Sequence, residues 1–136
     1  MHMRGNPQNM MNNTNYDDMI KEIINYFSEK INQAISYKIN DLIIDPGFGF
    51  AKDIKQNYDL LNHMELLQVL ERPVMVGISR KSMIYKTLDT DPKKSLNGTT
   101  VLNTISLIKG ASILRVHDIK EANECIKLIN SLNQPS

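Results

Sequence analysis

Apolar residues recur along this chain in two rhythms. Ile20, Ile23, Ile24, Phe27, Ile31, Ala34 and Ile35 fall at helical spacing and form one continuous stripe. Tyr58, Leu60, Leu61, Met64, Leu67 and Leu70 mark a second helix, which Pro73 closes. Between the helical stretches lie blocks too short for a helix and suited to buried strands: Leu42 to Ile44, Val74 to Ile78 and Ile113 to Val116. Thr14 stands as an N-cap with Asp17 in capping-box position, so the first helix is predicted to run to about Lys38. Ser82 to Thr87 fits a short helix, Leu88 to Lys94 a polar linker, and Leu96 to Lys109 a long helix stopped by Gly110. Asp118 is placed to cap a last helix with Glu121 in capping-box position and Ala122, Ile126 and Ile129 facing inward. Ahead of all this, Met1 to Asn13 is rich in Met and Asn, with a turn signal at Gly5, Asn6 and Pro7.

Helix and strand thus alternate, the grammar of a parallel α/β sheet held in one domain over residues 1–136. In such sheets the polar residues at the carboxyl ends of successive strands share one face and build the site. Three strands do not close a barrel, which takes eight strands and about 250 residues. The open sheet edges therefore predict either a covering partner or a missing part of the polypeptide. Met1-His2-Met3-Arg4-Gly5 favours the second, because it reads as the exit of a strand whose apolar body lies upstream.

Composition narrows the class further. A formal net charge of +1 argues against nucleic acid or a membrane surface as the main partner. The lone cysteine, Cys125, excludes an internal disulfide and fits a reducing compartment. With no apolar run of spanning length and no signal-peptide pattern, a soluble cytoplasmic protein is expected.

Candidate chemistry gathers at the predicted strand ends. Asp45 follows Leu42 to Ile44 directly, where burial beside apolar residues is expected and a lone carboxylate needs a defined partner. A planar edge with two adjacent N–H groups would satisfy both oxygens; a cap on the Pro46-Gly47 turn is an equal alternative. Gly47 to Ala51 brings backbone close to something, with Phe50 as a ring platform and Phe48 equally suited to the core. Lys81, in Ser79-Arg80-Lys81-Ser82, offers a compact charge to a ring carbonyl or nitrogen, or else belongs to a solvated basic turn. Ser79 and Ser82 could bond a substrate, or Ser82 could N-cap the short helix. Arg115 and His117 alternate along one strand and so share a face, an arrangement suited to phosphate or pyrophosphate. Asp118 reads as a helix cap, His2 and His63 carry no partner pattern, and Cys125 reads as structural. No metal-ligand spacing is present. Together these residues point to an anionic substrate bearing a hydrogen-bonding planar ring.

Taken as a set, the segments resemble the dihydropteroate synthases of folate biosynthesis. The resemblance rests on Met1 to Pro7, Asp45 to Phe50 with Lys52, Gly77 to Ser82, Leu96 to Thr99 and Arg115 to Asp118, in the family's order and spacing. It implies the carboxyl-terminal half of a (β/α)8 TIM barrel: strands 6 to 8 with their helices, plus the helix preceding strand 6. It further implies condensation of 6-hydroxymethyl-7,8-dihydropterin pyrophosphate with p-aminobenzoate, at a position sulfonamides also take. By resemblance Asp45, Lys81, Arg115 and His117 are the catalytic set. Asp45, Phe50, Lys81 and Arg115 contact pterin, Arg115 and His117 pyrophosphate, and Phe50, Ser79 and Ser82 p-aminobenzoate. Mg2+ is implied as cofactor, with its protein ligand outside this chain, and a homodimer through the helices of this half.

Two departures from the family pattern matter. Ala51 stands where a glycine is usual, so the loop is expected to avoid a backbone conformation unfavourable to a side chain. The family's amino-terminal half is absent, so the isolated chain is expected to be inactive. The competing readings are a pterin-binding methyltransferase, disfavoured by Arg115 and His117, and a non-catalytic half-barrel assembly module.

Overall fold

The computed structural model describes residues 1–6 and 8–132; Pro7, part of the predicted turn and of one family segment, lies outside the described residues. The sheet is parallel but its regular pairing is shorter than predicted. Strand β1 (Met75–Val76) pairs with β2 (Ile113–Leu114), and Ile44 adds a single bridge to Val74. Flanking backbone bonds extend the alignment, from Ile44 N–H to Pro73 C=O (2.9 Å) and from Arg115 N–H to Val76 C=O (2.8 Å). On the far side, His2 N–H donates to Asp45 C=O at 2.8 Å. The order across the sheet is therefore His2, Ile44 to Asp45, Val74 to Val76, then Ser112 to Arg115. Among the described residues Leu42 and Ile43 make no ladder, and Ile43 is exposed.

Helix α1 (Met19–Ser36) starts later than the sequence pattern predicts. Asp18, not Thr14, is its cap, accepting from Lys21 N–H at 3.1 Å, and Asp17 N–H bonds Glu22 Oε1. Thr14 instead offers its carbonyl to the Gln56 side chain at 2.6 Å. Met19, Ile23 and Phe27 are buried, whereas Ile35 at the far end of the stripe is exposed. Helix α2 (Ile54–Asn62) begins on a full capping box, Asp53 with Gln56. The second apolar stripe is not one helix: it breaks at His63 and continues as a 3-10 turn over Met64–Leu70. Helix α3 (Ser82–Tyr85) is a single turn with Lys81 at the N-cap position, so Ser82 is its first residue rather than its cap.

The predicted linker contains a 3-10 turn, Pro92–Lys94, capped by Asp91. Helix α4 (Leu96–Ile108) ends before Gly110, whose φ of +94° is the left-handed conformation expected there. Helix α5 (Ile119–Leu132) packs on α4 through Ala122 and Cys125, with Ile126 and Ile129 half-buried. Asp118 gives its carbonyl to Ala122 N–H, but its carboxylate is engaged elsewhere, as described below. The core lies between α1, α2 and the inner strands, centred on Ile23, Phe48, Leu60, Leu67, Val76 and Ile78. No helix among the described residues is long and apolar enough to cross a membrane.

Candidate functional site

Three loops leave the carboxyl ends of the parallel segments. The first, Asp45 to Lys52, folds back on the start of the chain. Gly47 has φ +74°, and a Cβ there would lie 2.0 Å from His2 C=O, so only glycine fits. Asp45 Oδ1 accepts Gly47 N–H at 2.8 Å, the turn-capping arrangement. Its charge also faces Lys52 and Lys81, favouring the protonated form of both. Of the two roles weighed for Asp45, the turn cap is the one the structure displays. Phe48 is buried core, and Phe50 is half-buried under Lys81, whose Nζ stands 4.6 Å from the ring centroid.

Ala51 overturns one expectation. Its φ is +50°, so the loop does adopt the left-handed conformation despite the side chain. The cost for an L-residue is about 1–2 kcal/mol. The methyl is fully buried, which returns part of it, about 0.8 kcal/mol on the scale of one methylene.

The second loop is Ser79 to Ser82. Lys81 Nζ donates to Phe48 C=O, and burial pulls its pKa below the usual lysine value; Arg115 pushes the same way while Asp45 opposes. Ser79 is buried, and its hydroxyl is taken by His117: Oγ to Nδ1 is 2.9 Å, and His117 N–H approaches the same Oγ at 3.3 Å. Ser82 is half-buried at the start of α3.

The third loop carries Arg115, Val116 and His117. With Gly77, Ser79 and Lys81 they line a cavity of about 160 Å³. The structure therefore brings Lys81, Arg115 and His117 to one hollow. Asp45 and Phe50 are not among its lining residues and adjoin it through Lys81, while Ser82 lies outside that lining. A larger hollow, about 490 Å³ between Asn40 to Ile43 and Glu71 to Pro73, lies at the opposite ends of the strands, away from this cluster.

Several residues at the site escaped the sequence reading. Arg80, in the left-handed region at φ +56°, forks onto Asp118 with Nε–Oδ2 2.9 Å and Nη2–Oδ1 2.6 Å. That guanidinium holds the Asp118 carboxyl below the ordinary carboxylate range. Asp118 is thus the partner that locks the second loop to the third. Arg80 N–H also reaches Thr99 Oγ1 at 3.1 Å. His2 and Lys52, both buried, meet through Nδ1 and Nζ at 3.1 Å, so His2 does have a partner. Among the described residues, no three His, Cys, Asp or Glu side chains come together as a metal-binding group.

Comparison with known proteins agrees with this geometry. Residues 1–117 match the family described as pterin binding enzyme. The dihydropteroate synthase of Escherichia coli K12 is 39% identical over 133 residues, covering 96% of this chain and 47% of that protein. The Synechocystis enzyme is 42% identical over 135 residues, covering 97% and 47%. Among solved structures, Yersinia pestis dihydropteroate synthase in a sulfonamide drug complex superposes with a TM-score of 0.93 at 38% identity, covering 96% of this chain and 48% of that one. The Thermus thermophilus enzyme also gives 0.93, at 30% identity, covering 98% and 54%. The chain spans about half the length of the curated relatives it matches. With its loops carrying these residues at the strand ends and the family match running through all three, the chain belongs to the pterin binding enzyme family.

Proposed function

We propose that this chain is the carboxyl-terminal part of a dihydropteroate synthase (β/α)8 barrel, strands 6 to 8 with the helix preceding strand 6. In this reading it supplies the pterin and pyrophosphate contacts. The observation that carries it is the convergence of Lys81, Arg115 and His117 on one cavity, with Asp45 facing Lys81 across the first loop. Asp45 accepts from the amino-pyrimidine edge of the pterin, and Lys81 bonds its carbonyl and ring-nitrogen side. Arg115 and His117 hold the pyrophosphate, with Ser79 fixing the His117 ring. Phe50, Ser79 and Ser82 line the p-aminobenzoate position, Ser79 keeping one hydrogen-bonding site on its hydroxyl beyond the two that His117 takes.

In the reaction, the bond between the exocyclic methylene carbon and the pyrophosphate oxygen breaks, and its electron pair leaves with pyrophosphate. The p-aminobenzoate nitrogen bonds that carbon and loses a proton. Arg115 and His117 stabilise the departing anion, and Asp45 the positive charge left on the ring. No step is assigned to Mg2+. In this reading the chain acts in the cytoplasm, and alone it gives no detectable turnover; product formation by the isolated chain would refute that. A second copy is expected to dock on α4 and α5, where Val101, Leu128 and Leu132 are exposed; sizing in solution tests this.

Calorimetry with two probes tests the assignment. Arg115→Ala should weaken both inorganic pyrophosphate and pterin pyrophosphate, about 10-fold or more. Asp45→Asn should weaken pterin pyrophosphate alone. Equal loss of both probes in Asp45→Asn would refute the division of roles.

A further inference from the structure

Lys52 is the buried cation among the described residues, 2% exposed, and no role above uses it. Its Nζ lies 3.1 Å from each of three acceptors: Gly47 C=O, Phe50 C=O and His2 Nδ1. An ammonium has three N–H groups and no lone pair, so His2 must accept, with the proton of its neutral ring on Nε2. Gly47 and Phe50 bracket the tight turn of the first loop, itself closed by Phe50 N–H on Gly47 C=O. His2 in turn gives its backbone N–H to Asp45. Asn57, also buried, supports the loop from the same side, accepting Gly49 N–H at 2.6 Å and donating to Lys52 C=O at 3.2 Å. Other charges around Lys52 are Asp45, which favours its proton, and Lys81 and Arg4, which oppose it. Burial dominates and lowers its pKa to about 7; burial and the nearby cations Lys52 and Arg4 bring His2 down to about 3.

We propose that Lys52 is a positioning residue: it holds the glycine-rich loop closed on the Met1–His2 segment and thereby sets where Asp45 and Phe50 stand, without touching a ligand. The consequence for binding rests on the pterin reading; the closure of the loop does not.

The first test uses the unaltered chain. Nitrogen-15 spectra of the His2 imidazole are followed from about pH 5 to about pH 9. The expected result is a protonated Nε2 throughout, with an accepting Nδ1 whose resonance moves near pH 7 as Lys52 loses its proton. Both ring nitrogens titrating together near the ordinary 6.5 would overturn the proposal. The second test compares Lys52→Met with the unaltered chain by amide hydrogen exchange. Loss of one charge-assisted bond predicts exchange at Gly49 and Phe50 faster by about 10-fold or more, with Val76 unchanged. Affinity for pterin pyrophosphate should fall roughly 10- to 100-fold while inorganic pyrophosphate binds as before. Faster loop exchange with unaltered pterin affinity, or uniform loss of protection through the core, would overturn it. If Lys52→Met does not fold, the imidazole spectra decide alone. If the loop responds as expected but the unaltered chain binds no pterin, the positioning of the loop stands and the pterin reading fails.

Discussion

Replacing Gly47 by alanine tests how tightly the first loop is fitted against the start of the chain. The left-handed backbone at φ +74° costs an alanine about 1–2 kcal/mol. The new Cβ would sit 2.0 Å from the His2 carbonyl oxygen, a backbone atom with no rotamer to yield. Relief requires lifting Met1–His2 away. That breaks the His2 to Asp45 backbone bond, about 1 kcal/mol, and the Lys52 to His2 bond, about 1.5–3 kcal/mol. The expected loss is about 4–6 kcal/mol, a large part of the roughly 5–15 kcal/mol that holds an ordinary domain together. Gly5→Ala is the internal control. Gly5 has the same φ, +74°, but its Cβ would meet the side chains of Asn9 and Asn13, which can turn aside, so about 1–2 kcal/mol is expected. Urea denaturation followed by far-ultraviolet circular dichroism measures both. A Gly47→Ala loss within about 1 kcal/mol of the Gly5→Ala loss would refute the tight fit.

Other outcomes follow from the buried charges and the tight contacts. Because Lys52 has a folded pKa of about 7 against 10.5, the unfolded chain binds a proton that the folded chain lacks between those values. Stability should therefore rise with pH across that window, by at most about 1.4 kcal/mol per unit, and the rise should vanish in Lys52→Met; parallel profiles would contradict this. For His2 the window is 6.5 down to about 3, over which acid should destabilise the fold. Gly98→Ala gains about 1 kcal/mol of helix propensity. Its Cβ, however, would lie 2.5 Å from Ile84 Cγ2 and 2.8 Å from Leu88 Cδ1; Ile84 is buried, so overpacking of about 1–3 kcal/mol should win in denaturation. Ala51→Gly should change stability by less than about 1 kcal/mol, because relieved strain is offset by the lost buried methyl and a freer unfolded chain. Ala51→Val should lose more than about 3 kcal/mol, and a smaller loss would show that the loop relaxes.

What the sequence made legible was whatever is written locally. Lys81 and His117 closely follow apolar blocks and Arg115 stands near the end of one, and the parallel order of those blocks brings their ends together. The Arg80–Asp118 clamp joins residues 38 apart, and the His2–Lys52 pair residues 50 apart. Neither has a local signature, since pairing at such separations is decided by packing. Asp53 with Gln56 could have been read, being a capping box in plain spacing, whereas Thr14 lost to Asp18 because the latter stands closer to the apolar stripe. Among the described residues β2 pairs on one side only and Leu42–Ile43 have no ladder partner, so the strands are short. Ala51 shows the limit of reasoning from residue type. A side chain there implied an ordinary backbone, yet the turn between Gly49 and Lys52 imposed a positive φ.

In the proposed function Asp45, Lys81, Arg115 and His117 serve one ligand. Titrating the isotopically labelled chain with 6-hydroxymethyl-7,8-dihydropterin pyrophosphate, and following each residue by nuclear magnetic resonance, tests it even when binding is weak. Resonances of all four residues should move along one common saturation curve. Movement confined to residues of α4 and α5, or any of the four following a different curve from the rest, would contradict it.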